Sequence, residues 1–562
     1  MARWTTIWAG VWLIIISAFA AAPTLEHFYP VAIQIGVTNA VAAIGKFDPW
    51  PVKVWSDAPG IFFTARTNKG EFDVSMAANA KAGPHLVRVY NEQGASEPRF
   101  LILTGEPQQA EAEPNDDYRQ PQKLEHFPVS LNGRLDRGGD VDSYAIPLER
   151  GETLVASIEA YVLGSPMDAA LQLVDTRGVQ VAFNHDDGIT LDPLLTWRAQ
   201  AAGIYVLQVF AFSYPADSTV AFAGGKNFVY RLHAWRGPYA RHMIPLGVQR
   251  EAHASFSVVA WNTNGLAPLE FDATSLPVGA KHLVWRPPGY QNTVELPMGD
   301  GPELREQEPD DAVAEARLRL EIPGAVTGVI DRSGDEDRYW FIARRGTRYV
   351  FQIDSTGLGF PTYPWVQIED KKGKALARQE EGQRSDPTLE WLAPRDGDFL
   401  VAVGNIVHRG GPDYLYRLSV RRAVPNFTAI SLASALLVEP GKTNEVKITV
   451  RRREGERSAV LLSARNLPDG VTMDPVLAPE NEETTTLRLV AADEARPFSG
   501  PVQLVAAVPD EGVEGPVIHE MTTTSIQNGV PNGYSKLVIE STDQIWLTIP
   551  PKPPKEAKPE KK

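Results

Sequence analysis

The sequence predicts an all-β, multidomain chain, a string of β-sandwiches, on three observations. Runs such as Leu154-Val155-Ala156-Ser157-Ile158-Glu159, Ile204-Tyr205-Val206-Leu207-Gln208-Val209 and Tyr349-Val350-Phe351-Gln352-Ile353-Asp354 are rich in β-branched and aromatic residues and end at turn residues. Almost nothing carries the three-to-four-residue apolar period of an amphipathic helix. One pattern also occurs twice: Glu113-Pro114-Asn115-Asp116, Gly133, Asp140-Val141-Asp142-Ser143-Tyr144, Gly151 and Gly178 return 195 positions later as Glu308-Pro309-Asp310-Asp311, Gly328, Asp335-Glu336-Asp337-Arg338-Tyr339, Gly346 and Gly373. The offset becomes 194 at Asp192-Pro193 and Asp386-Pro387, and at Trp197 and Trp391; it is 186 at Tyr230-Arg231-Leu232 and Tyr416-Arg417-Leu418. The first copy therefore has about eight extra residues in the loop after Phe210. Chance does not hold a register this long, so these are duplicated domains.

Taken in order, residues 1–22 place Arg3 ahead of an apolar run from Ile7 to Phe19 and then small residues, the layout of a cleavable signal peptide; an uncleaved anchor is the alternative. No cysteine follows for lipid attachment, and no later run is long enough to span a bilayer. Residues 24–105 end in the alternating strand Gly83-Pro84-His85-Leu86-Val87-Arg88-Val89-Tyr90-Asn91 and read as an immunoglobulin-like unit. The first copy occupies 106–236. Residues 237–300 form a degenerate β-domain or a spacer, in which Pro245-Leu246-Gly247-Val248-Gln249 echoes Pro30-Val31-Ala32-Ile33-Gln34; the pair of domains is then a second candidate for the duplicated unit. The second copy fills 301–422. Strand patterns at 444–450 and 486–490, with the turn signal Asn466-Leu467-Pro468-Asp469-Gly470 between them, make 423–548 a further immunoglobulin-like β-domain. Residues 549–562, rich in proline and lysine, cannot pack a core and read as a disordered tail.

Composition narrows the chemistry. The chain has 562 residues, no cysteine and a net charge of −15. Thiolate and redox chemistry are excluded, and so is a nucleic-acid partner, which needs a basic surface. H-E-x-x-H, G-x-S-x-G and phosphate-binding glycine motifs are absent, His519-Glu520 lacks a second histidine, and the ten histidines are scattered; no catalytic residues are expected. Trp197 and Trp391 read as core anchors, and Arg451-Arg452-Arg453-Glu454-Gly455-Glu456-Arg457 as a solvated hairpin of mixed charge.

The acidic loops are the candidate chemistry. Glu111, Glu113, Asn115 and Asp116 offer several hard oxygens from one loop, Pro114 stiffens that loop, and Asp140 and Asp142 on a second turn close the shell. Such donors suit calcium better than zinc. The alternative is that these acids face water in an inter-domain linker. The turn after Asp140 is not an EF-hand, because Ala145 stands where glycine is required.

The Glu-Pro-Asn-Asp loop, the Gly-Asp-x-Asp-x-Tyr turn, the Asp175-Thr176-Arg177-Gly178 hairpin and the Gly-x-Tyr closing strand together resemble the bacterial pre-peptidase C-terminal domain, a compact β-sandwich of jelly-roll type. The resemblance covers both copies, less than half of the chain; the units before each copy resemble the IPT/TIG group more loosely. Some members, the collagen-binding modules of bacterial collagenases, bind calcium through this loop and turn. Carried over by motif, that implies ligands at Glu111, Glu113, Asn115, Asp116 and Asp142, with Asp140 beside them. In the second copy it implies Glu306, Glu308, Asp311 and Asp337, with Asp335 matching Asp140 and Asp310 replacing the amide of Asn115. The expectation is an exported, non-catalytic binding protein, in the periplasm, on the cell surface or secreted, that presents a surface to an extracytoplasmic protein or polysaccharide. A structural stalk or envelope component, or an accessory protein of a secreted peptidase, is the alternative.

Overall fold

The computed structural model describes residues 21–552 apart from 125, 186–190, 214–220, 264–267, 277–279, 381–385, 481, 510–511 and 524–536. The expected signal segment and the Pro/Lys tail lie outside the described residues except at 21–22 and 549–552, and so does most of the extra loop after Phe210. The described chain is all-β, with three short 3-10 turns as its helical elements. No helix among the described residues is long and apolar enough to cross a membrane.

Each copy of the repeat is a two-sheet sandwich. In the first, one sheet runs Gln109–Ala110, Val129–Arg134, Val229–Trp235, Thr153–Glu159, Leu194–Arg198, and the other runs Gln122–Lys123, Asp142–Leu148, Gly203–Ser213, Met167–Val174, Gln180–Asn184. The second copy repeats the first order with Glu303–Arg305, Gly324–Val329, Leu415–Arg422, Arg348–Asp354 and Thr388–Leu392. Its other sheet runs Glu336–Ala343, Gly397–Asn405, Pro364–Glu369, Ala375–Glu380, and the short edge strand shrinks to one parallel bridge between Arg319 and Trp340.

Alternation explains the layers, because side chains two apart on a strand share a face. Leu154, Ala156 and Ile158 from one sheet meet Tyr144, Ile146 and Leu148 from the other in a single core, each large apolar side chain contributing roughly 1.5–3 kcal/mol by leaving water. Trp391 is buried in the matching core and Trp197 packs against the first one. Gly133 and Gly328 are glycines for lack of room: a Cβ would stand 2.1 Å from the Tyr230 ring and 2.3 Å from the Tyr416 hydroxyl.

The unit before each copy has its own core, and the two share a topology. Thr24–Tyr29 pairs antiparallel with Asn39–Lys46, and Ala32–Gln34 pairs parallel with Arg99–Thr104. Tyr239–Ile244 with His253–Trp261, and Val248–Gln249 with Val294–Gly299, repeat that arrangement at smaller size around Met243, Val248, Phe256 and Leu296. A larger unit from Asn426 to Ile549 joins its described strands into one eleven-stranded sheet around its own core.

The joints between units are specific. Leu246 donates its N–H to Thr327 Oγ1 at 2.8 Å. Glu454, in the arginine-rich turn, is not part of a free hairpin: it is buried and accepts from Arg421 at 2.5 and 2.6 Å. The first and last units also meet. Arg88, fully buried, lies between Trp55 and Trp546, 5.6 and 5.4 Å from their ring centres, and Ser434 donates to Glu97 at 2.5 Å.

Candidate metal centres

Connectivity puts the acidic residues together. In the first module the acidic loop crosses from the edge of one sheet, at Gln109–Ala110, to the edge of the other, at Gln122–Lys123. The aspartate turn makes the same crossing between their inner neighbours, from Val129–Arg134 to Asp142–Leu148, and each edge strand runs parallel to the strand beside it. Two crossings side by side bring residues 113–116 against 140–142; Ser143 donates its N–H to the carbonyl of Asn115 at 3.1 Å.

Glu113, Asp116 and Asp140 offer oxygens that all lie within 4.8 Å of one another. Asp140 is fixed by accepting the N–H of Asp136 at 2.5 Å. Asp142 stands on a buried relay: the Tyr144 and Tyr230 hydroxyls are 2.6 Å apart, and Tyr230 donates to Asp142 Oδ2. Arg137, largely exposed, reaches over to Asp116 at 2.5 Å as a local counter-charge. Glu111 is turned aside, accepting the Arg134 N–H at 2.6 Å and the Tyr29 hydroxyl of the preceding unit at 3.1 Å.

The second module repeats the plan with more acid. Glu306, Glu308, Asp310, Asp311, Asp335 and Asp337 all fall in overlapping groups of the same 4.8 Å reach, and Asp331 joins them beside Glu308 and Asp335. Glu306 groups with Glu308 and Asp337 while also accepting the Val329 N–H at 2.8 Å. Ile244 stands at the position of Tyr29, so no hydroxyl from the preceding unit draws Glu306 away. Tyr339 and Tyr416 repeat the relay at 2.6 Å, Tyr416 donates to Asp337 at 2.5 Å, and Arg332 pairs with Asp311.

Sequence reasoning did not include Asp331 or the tyrosine relays. Asp331 was findable, because the offset of 195 aligns it with Asp136, which stands in the same turn but pairs with Arg134 at 2.5 Å.

Nine oxygens at the two sites are buried without a hydrogen-bond partner: Oδ1 of Asn115, Asp116, Asp140 and Asp142, Oδ1 of Asp311, Asp335 and Asp337, and both carboxylate oxygens of Asp310. Burial of an unpartnered polar atom is costly, and such atoms normally point to an absent partner. They occupy equivalent positions in both modules. Electrostatics agree with the geometry. Burial, then the charge of Glu111, pushes Asp142 up, and burial with the neighbouring Asp116 raises Asp140 to about 6. Burial, then Glu308 and Asp311, raises Asp310 to about 7; burial, then Glu306, holds Asp337 well above the carboxylate range. Oxygen donors without nitrogen or sulfur, held on loops rather than in a rigid octahedral cage, fit a calcium-sized hard cation.

No protein-family model matches the chain, and no curated protein matches it. Among solved structures it is similar to the pre-peptidase C-terminal domain of collagenase from Bacillus anthracis, at 15% identity and a TM-score of 0.16, over 21% of this chain and all of that one. It is similar to tripeptidyl peptidase 2 at 9% identity and a TM-score of 0.16, over 89% of this chain and 39% of that one. The surface layer protein SbsC, domains 1-6, gives 10% identity and a TM-score of 0.15, over 92% of this chain and 59% of that one.

Proposed function

We propose that the two duplicated modules are tandem pre-peptidase C-terminal-type domains that bind calcium, in an exported, non-catalytic protein that presents their surfaces to an extracytoplasmic protein or glycan. The observation that carries the reading is the set of nine buried oxygens without a hydrogen-bond partner at matching positions of both modules; among them Asp335 Oδ1 has a cation nearby, Arg332 at 3.5 Å. Glu113, Asp116 and Asp140 would hold the ion in the first module, with the unpartnered oxygens of Asn115 and Asp142 completing the shell and Glu111 kept as a positioning residue on Tyr29. Glu306, Glu308, Asp310, Asp311, Asp335 and Asp337 would hold it in the second, with Asp331 at the rim. The ion supplies positive charge beyond that of Arg137 and Arg332 to these crowded carboxylates, and in doing so fixes the loop that joins each module to the unit before it.

The contact of Arg88 with Trp55 and Trp546 favours a closed arrangement over an extended stalk. Thermal unfolding in millimolar calcium, and again in chelator with magnesium as control, tests the cation reading: a ligand bound only by the folded state raises the midpoint. No calcium-specific rise would make the acidic loops plain linkers. Digestion of casein by the purified protein would overturn the non-catalytic part.

A further inference from the structure

A cleft of about 630 Å³ lies where the unit at 24–105, the first module and the unit at 239–299 meet. That is the size of a small-molecule site. Phe100, Leu163, Trp235 and Val284 give it apolar walls, and Val284 is 67% exposed. Arg286 of the third unit ties the junction together by donating to Glu106 at 2.6 Å. The polar corner is Glu159, Arg231 and His233 on neighbouring strands. Arg231, only 8% exposed, donates to Glu159 and to Ser130 Oγ, each at 3.2 Å, and its Nε has no partner. His233 Nε2 stands 3.6 Å from the same glutamate, and its ring stacks on Trp235 with centres 5.4 Å apart.

The second module provides an internal comparison. Its equivalent of Arg231 is Arg417, paired across the strands with Asp354 as Arg231 is with Glu159. Arg417 is satisfied by two carboxylates: Glu303 at 2.6 Å and Asp354 at 3.0 Å. In the first module the position of Glu303 is a neutral amide, Gln108, whose oxygen is taken by Ser130 at 3.1 Å. Arg231 is therefore one carboxylate short of its counterpart. The positions of Ser419 and Arg421 are filled by His233 and Trp235, so the corner has an imidazole where the second module has a hydroxyl, and an aromatic wall where it has a guanidinium.

We propose that this cleft binds a carboxylate carried on an apolar or aromatic body. The acid group lies beside Arg231 and His233 as the second anion that Glu303 provides within the second module, and the body lies against Phe100, Leu163, Trp235 and Val284. A guanidinium held in a low-dielectric corner interacts strongly with an added charge, and a cleft already formed by three units loses little freedom on binding. Free aromatic acids and the apolar C-terminal residue of a peptide share this chemistry. The residues used stand outside the acidic loops, so the inference does not depend on the cation reading.

Calorimetric titration of the full chain in calcium tests it, with phenylbutyrate against phenylbutanol, and the peptide Ala-Ala-Ala-Phe as free acid against its C-terminal amide. The expected result is that at least one acid binds about tenfold or more tighter than its neutral partner. The arm that shows the preference identifies the source. Gln108→Glu places in the first module the carboxylate found in the second, and should abolish the preference without lowering the unfolding midpoint. Trp235→Ala, which removes the aromatic wall without changing charge, should weaken binding of acid and neutral probe alike. Equal binding of acid and neutral probes in both pairs, no binding of either acid at millimolar concentration, or a preference unchanged in Gln108→Glu would overturn the proposal.

Discussion

Replacing Asp310 by asparagine gives the second site the donor that the first has at Asn115, and its effect should change sign with calcium. Asp310 is 1% exposed, neither carboxylate oxygen has a hydrogen-bond partner, and burial together with Glu308 and Asp311 raises it from 3.8 to about 7. A group whose folded-state pKa is raised contributes stability that is present below its unfolded value and lost as pH climbs through the folded value. The loss therefore falls between about pH 4 and 7. Three units at about 1.36 kcal/mol each set an upper bound near 4 kcal/mol, and solvent reaching the loop and relaxation of its neighbours reduce this to about 1–2 kcal/mol. In chelator, Asp310→Asn should match the wild type near pH 4 and exceed it by about 1–2 kcal/mol at pH 8, a rise of about 3–8 °C in the transition of this module. In calcium the variant has one carboxylate fewer for the ion, and its midpoint should fall below that of the wild type. Scanning calorimetry of the whole chain at the two pH values, with and without calcium, reads both effects. A variant less stable than wild type at pH 8 in chelator would refute the account of Asp310 as a repelled, unpartnered acid.

Calcium binding near pH 7 should release protons, because Asp142, Glu306 and Asp337 sit above the usual carboxylate range and must ionise to hold the ion; titration heats that do not vary with the ionisation enthalpy of the buffer would contradict this. Gly328→Ala puts a methyl 2.3 Å from the Tyr416 hydroxyl, which should displace the Tyr416–Asp337 hydrogen bond, lower the module's stability by about 1–3 kcal/mol and weaken calcium affinity; wild-type affinity in calorimetric titration would remove the relay from the site. Trp546→Ala empties a fully buried position and takes one aromatic face from Arg88, at a cost of about 3–5 kcal/mol. Separation of the first and last units should then raise the radius of gyration in small-angle scattering, and an unchanged radius would show that other contacts hold them.

The acidic loops were legible because motif and spacing survive duplication, but legibility stopped at the list of acids. Glu111 and Glu306 are the same residue of the repeat. What separates them is Tyr29, a hydroxyl in another unit that binds Glu111, where Ile244 offers none to Glu306. Asp331 and Asp136 also align, yet Asp136 pairs with Arg134 at 2.5 Å while Asp331, 3.3 Å from Arg332, stays within reach of Glu308 and Asp335. For Asp136 the private partner is two residues away and is readable locally, whereas the partner of Glu111 comes from 82 residues away, which no local pattern encodes.

By itself the sequence determined the all-β class and the duplication, because strand alternation and turn residues are local and act on every copy alike. It also located the acidic loops, because a loop that crosses between sheets keeps its place in the chain. Only the tertiary structure decided which oxygens converge without partners, that residues 88 and 546 share one contact, and that Arg231 lines a three-domain cleft with one carboxylate where Arg417 has two. Each of these is an encounter between surfaces brought together by packing, and the burial of a polar group in such an encounter is set by residues distant in sequence.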